Sequence, residues 1–143
     1  MKKLFLSIII CLATLIPSVY AQDITVNVNG EVLQTDVAPQ IVNDRTMLPM
    51  RAIFEKLGAT VTWMGADKLI FATKGSCMIV MQIGNNKMSV QRTDSEENNA
   101  VELDAAPYIY EDFTLVPVRA VAEALEADVE WVGETGTVNI TTK

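Results

Sequence analysis

The sequence predicts an α+β fold built from two tandem repeat units, each a short α-helix packed on antiparallel β-hairpins. Three observations carry this expectation. Shifted by 68 positions, residues 36–75 align without a gap to residues 104–143. The helical pattern inside each copy is only about two turns long, too short to enclose a core alone. Most of the remaining apolar residues alternate with polar ones, the period of half-buried strands.

The elements follow in order. Lys2 and Lys3, an apolar run over residues 4–16 and the small-residue site Val19-Tyr20-Ala21 predict a signal peptide over 1–21. That run of 13 residues is short of the roughly 20 a membrane-spanning helix needs. Cys11 is not expected to carry a lipid, because bulky Ile10 precedes it and most of the apolar run follows it. The mature chain then covers 22–143. Ile24, Val26 and Val28 alternate with Thr25 and Asn27, and Asn29-Gly30 turns the chain back through 32–35 as a hairpin.

Asn43-Asp44 is a turn, and residues 46–48 run extended into Pro49. Pro49 suits the first helical position, where a missing N–H costs nothing. A helix over 50–57 puts Met50, Ile53, Phe54 and Leu57 on one face, and Gly58 stops it in the left-handed region. Val61 and Trp63 share the inner face of the next strand, which turns over 65–68 and returns over 69–73. Residues 78–83 and 87–90 form a further hairpin around Gly84-Asn85-Asn86, and 92–100 read as a polar loop before a strand at 101–103.

The second copy repeats the first. Glu111-Asp112 turns, 114–116 run into Pro117, and a helix over 118–125 carries Val118, Val121, Ala122 and Leu125. Glu126 stands where Gly58 stops the first helix, so a less well made stop is expected there. Val129 and Trp131 again share an inner face, and 137–141 return. The units span about 24–75 and 78–143. Tandem and pseudo-twofold arrangements both remain open at this point.

Composition excludes several function classes. There is no histidine, which removes His-based acid–base catalysis and His metal sites. With Lys2 and Lys3 gone, nine basic residues face 18 acidic ones, a mature charge of −9. Such a chain repels nucleic acid, anionic headgroups and anionic wall polymers. It offers no stretch for membrane insertion and only one thiol, Cys77, with no base beside it in sequence.

The doubled motif, D-R-T-M-L-P-M-R-A-I-F-E-K-L-G-A-T-V-T-W and its partner L-V-P-V-R-A-V-A-E-A-L-E-A-D-V-E-W, resembles the copper amine oxidase-like N-terminal (stalk) domain family over about 24–142. The resemblance implies an antiparallel sheet wrapped around a short helix, and exported proteins chiefly of Gram-positive bacteria. It implies no copper or quinone here, since in those oxidases both belong to a separate catalytic domain. The second unit departs from the motif at Phe113, where the first has Arg45, and at Glu126.

The remaining candidates each have a packing explanation. Met47 and Met50 have a spacing that Cu(I) sites use, but they align with Leu115 and Val118, positions of apolar packing. Met78 and Met81 are an odd number apart on a strand, hence on opposite faces. The acidic stretch 94–99 lacks the spacing of a calcium loop. The duplicated Asp36, Pro49, Arg51 and Trp63, with Asp104, Pro117, Arg119 and Trp131, are expected to serve the fold. Arg51 is expected to pair with Asp36 or Asp44, Arg119 with Asp104 or Asp112, and both tryptophans to lie in the core. No catalytic residue, metal or cofactor is expected. The sequence thus reads as a secreted, monomeric, non-catalytic module of the cell envelope, wall-associated or free. Its partner would be an envelope protein or wall polymer, and the alternative is a glycan binder with aromatic platforms.

Overall fold

The computed structural model describes residues 23–143, so the expected signal peptide, with Cys11 and Tyr20, lies outside the described residues. The fold is mostly β with two short helices. The first elements are β1 (Thr25–Val28), β2 (Glu31–Val32), β3 (Gln40–Val42), β4 (Arg45–Pro49) and α1 (Met50–Lys56). Then come β5 (Thr60–Met64), β6 (Leu69–Lys74), β7 (Cys77–Gln82), β8 (Lys87–Arg92) and β9 (Asn98–Glu102). The last are β10 (Tyr108–Tyr110), β11 (Phe113–Pro117), α2 (Val118–Ala124), β12 (Asp128–Val132) and β13 (Thr137–Thr141). From β3 to β6, each element begins 68 residues before its counterpart in the series β10 to β13.

The two series do not stand as separate sheets. β4 and β11 pair antiparallel at the centre of the sheet β10-β11-β4-β3, with Leu48 opposite Val116, Met47 opposite Pro117 and Pro49 opposite Leu115. A five-stranded sheet runs β5-β6-β7-β8-β9, and a four-stranded one runs β12-β13-β1-β2. Pairing is antiparallel, as the hairpin pattern predicts, except that β1 lies parallel to β13. A parallel neighbour needs a long connection; here almost the entire described chain supplies it. The amino-terminal hairpin therefore completes the sheet of the carboxyl-terminal half.

One core joins the layers. Leu48, Ile53, Phe54, Val116, Val121, Ala122, Ile70, Ile79 and Ile140 are all at most 1% exposed in a single cluster. A smaller cluster of Met47, Ala105 and Leu115 sits beneath β10. Met47 and Met50 are buried as packing residues, and β7 alternates so that Met81 points in while Met78 is half-exposed.

Local expectations need three corrections. Pro49 and Pro117 are not the first helical residues but end β4 and β11 with extended ψ of 129° and 118°; the helices begin at Met50 and Val118, where the expected ranges start. A proline is tolerated there for the same reason, since that N–H precedes the helical ladder. The polar stretch 92–100 is only partly loop, because β9 starts at Asn98. Its residues are polar because β9 is an edge strand with nearly all side chains exposed.

The third correction concerns the helix stops, which are equally well formed. Gly58 (φ 83°) and Glu126 (φ 64°) are both left-handed. Ala59 N–H donates to Phe54 O at 2.9 Å, and Ala127 N–H donates to Ala122 O at the same distance. Glu126 reaches this conformation against the steric preference of a side-chain-bearing residue. Replacing Glu126 with glycine should therefore raise stability by about 0.5–1 kcal/mol, net of the greater chain entropy glycine brings to the unfolded state. A urea melt checks this as a shift in midpoint with unchanged slope.

Candidate functional site

A groove of about 520 Å³ lies over the helix-facing side of the β12-β13-β1-β2 sheet. Its floor is Val129, Trp131, Val138 and Ile24. One wall is α2, through Val118, Arg119 and Glu123; the other is residues 101–104. Ile41, Asp44, Arg45 and Thr46, from β3 and the turn into β4, close one end.

Each wall has a local cause. Asn43 and Asp44 both take positive φ (49° and 60°), so a two-residue turn joins β3 to β4. That turn brings Asn43 Nδ2 to donate to Asp104 O at 2.9 Å and Arg45 Nε to donate to Asp104 Oδ2 at 2.8 Å. Asp104 is therefore clamped to the opposite half of the molecule. Its side chain and that of Arg45 are 61% and 44% exposed, so the pair contributes little to stability and acts chiefly by setting the groove wall. The equivalent turn has Phe113 in place of Arg45, so no ion pair can form there.

Helix α2 presents Arg119 and Glu123 one turn apart to the groove, while Val118, Val121 and Ala122 face the core. It has no basic residue in its last turn. Arg92 of β8 supplies one, donating from Nη2 to Ala124 O at 3.3 Å and reaching Glu126 at 3.4 Å. Helix α1 carries its own, Lys56.

Several duplicated residues are placed differently from expectation. Arg51 does not pair with Asp36 or Asp44; it is exposed and lies 3.8 Å from Glu55, one helical turn away. Arg119 makes no ion pair with Asp104 or Asp112, because Asp104 is held by Arg45. Both arginines are exposed on short helices, so solvent offsets their position in the dipole, and the exposed Arg51–Glu55 pair adds little. Asp36 is exposed as well.

The tryptophans also differ from expectation, and from each other. Trp63 is half-buried and packs against the main core. Trp131 is not in the core: it is 46% exposed on the groove face of edge strand β12. The groove-lining residues Val118 and Arg45 stand where the other half has the bulkier Met50 and apolar Phe113. Gly65 and Gly133 sit under their respective indole Nε1 atoms, each 3.4 Å from where a Cβ would be. Trp63→Ala should cost about 2–3 kcal/mol, below the full cost for a buried ring. Trp131→Ala should leave Tm almost unchanged, and paired thermal melts check the contrast.

The site offers recognition chemistry. Arg119 donates, Asp44, Glu102 and Glu123 accept, and Trp131 gives a flat apolar face. Among the described residues no three His, Cys, Asp or Glu side chains gather to hold a metal. Cys77 is buried, its Sγ 3.5 Å from Ala124 O, and burial pushes its thiol above the ordinary range. A protonated buried thiol is a poor nucleophile.

Residues 27–140 match the copper amine oxidase N-terminal domain. The chain belongs to that family. A relative from Brevibacillus choshinensis named "Protease inhibitor" is 26% identical over 117 residues, covering 82% of this chain and 34% of its own. The chain thus spans about a third of that relative's length. No solved structure matches this chain.

Proposed function

We propose that this protein is a non-catalytic binding module of the cell envelope that takes a protein partner at the Trp131 groove. The observation that carries it is an exposed tryptophan in a groove with hydrogen-bonding groups and no activated nucleophile. Exposed aromatic side chains in a concave site are the usual anchors of protein recognition. Two comparisons support the reading: the family is described as the N-terminal domain of copper amine oxidase, and the Brevibacillus relative is named a protease inhibitor. A protease is therefore one candidate partner. The signal-peptide pattern supports export, with the mature chain starting at Gln22 as a secreted or wall-associated monomer.

Duplication of one unit also fits. Under the 68-residue shift, the β4–β11 register maps onto itself about Leu48 and Val116, as a pseudo-twofold requires. One copy keeps its tryptophan packed, and the other has opened a groove beside it. A second reading, a glycan-binding module, is favoured by the same exposed indole.

The test is retention of the immobilised mature protein's partners from intact cells, purified wall and secreted proteins. Wild type should retain a protein that Trp131→Ala, folded and equally stable, does not. Equal retention by both would refute a role for the groove.

A further inference from the structure

Strand β12 is an edge: it pairs with β13 on one side, and among the described residues nothing pairs with the other. An edge strand leaves about half its backbone N–H and C=O groups unpaired and able to accept an added strand. β12 contains no proline, and its five-residue ladder to β13 runs without a bulge. Val129 and Trp131 face the groove, and Asp128 and Glu130 point to the opposite face, both exposed.

Charge selects among possible occupants. Asp128 and Glu130 would lie opposite the same groups in an antiparallel second copy, and the chain is strongly acidic, so self-pairing is repelled. Around the groove, Asp44, Glu102 and Glu123 outnumber Arg119 once Arg45 and Asp104 neutralise each other. The counterpart edge β5 carries Thr60 and Thr62 where β12 carries Asp128 and Glu130, so the acidity belongs to the half with the open tryptophan.

Resting on the protein-binding reading above, we propose that β12 and its groove capture an extended, basic segment of a partner polypeptide by strand addition. Main-chain hydrogen bonds to β12 hold the segment. Its lysines or arginines lie across from Asp128 and Glu130, and its alternate side chains enter the groove over Val129 and Trp131.

The test is titration of the mature protein, followed by amide shifts along β12. The probe is a short synthetic peptide alternating Lys and Val. The controls are a Glu–Val peptide, the Lys–Val peptide N-methylated at alternate residues, and an N-acetylglucosamine oligomer. The Lys–Val peptide should bind saturably, shift the β12 amides and weaken with salt, and the three controls should not bind there. The Asp128→Thr/Glu130→Thr variant carries residues the same fold already uses in β5. It should stay folded and weaken binding about tenfold.

Equal binding of the Glu–Val or N-methylated peptide, or groove binding by the oligomer without the peptide, overturns the proposal. Trp131-dependent retention of a protein partner would then still stand as the broader function. Partner retention indifferent to Trp131→Ala would instead sink that function itself.

Discussion

Phe54→Ala should destabilise the protein by about 3–5 kcal/mol, the largest loss expected of any single side-chain truncation here. Phe54 is fully buried and is the bulkiest of the side chains below 2% exposure. It projects from the same face of α1 as Met50 and Ile53 into the one cluster that joins all three sheets. Its counterpart in α2 is Ala122, also fully buried in that cluster. One helix therefore supplies a large ring where the other supplies a methyl group. Both helices begin directly at the end of the paired central strands β4 and β11, which limits how far either can move to close a void. A cavity that cannot collapse carries both the transfer and the void cost. Against a typical total of about 5–15 kcal/mol, such a loss leaves a marginal fold. Phe54→Leu should lose much less, because most of the volume remains. A denaturant melt giving under about 1 kcal/mol for Phe54→Ala would contradict the core described above.

Elements specified by their own residues were legible in the sequence. Both helices, the Asn29-Gly30 turn and the β7–β8 hairpin follow from spacing and turn chemistry, and the 68-residue shift showed that the layout occurs twice. What escaped was set by distant parts of the chain. No local pattern tells β1 to pair with β13, more than a hundred residues away and in parallel. β9 escaped because an exposed edge strand need not alternate.

At the site, identity between repeats misled. Trp63 and Trp131 occupy equivalent positions, and shared sequence suggested shared burial. The usable signal lay in the differences: Phe113 against Arg45, Met50 against Val118, Thr60 and Thr62 against Asp128 and Glu130. The repeat pattern points to carboxylate partners for arginine within each half, whereas the ion pair that shapes the groove, Arg45 with Asp104, crosses from one half to the other. Because the two halves pair with each other, contacts between them matter as much as those within each.

Deleting residues 24–33 should abolish cooperative folding, although these residues form only one short hairpin. Val26 and Val28 are 2% and 1% exposed and belong to the main core. Burial of each contributes about 1.5–3 kcal/mol. Their removal also uncovers Val138 and Ile140 on β13, now 4% and 1% exposed, and strips four residues of β13 of their ladder partner. The side-chain pair Asn27 Nδ2 to Asn139 Oδ1 at 3.1 Å goes with it, as do the contacts of Asn29 with Thr142. These losses together approach the whole stability of an ordinary domain. The carboxyl-terminal half would suffer first, because its sheet would shrink to the single hairpin β12–β13, and isolated hairpins are marginal in water. A synthetic peptide covering 23–35, added in trans, should restore the near-ultraviolet circular dichroism of the truncated protein in a saturable way. A truncated chain that melts cooperatively at the Tm of the undeleted protein would show that β1 merely decorates the sheet.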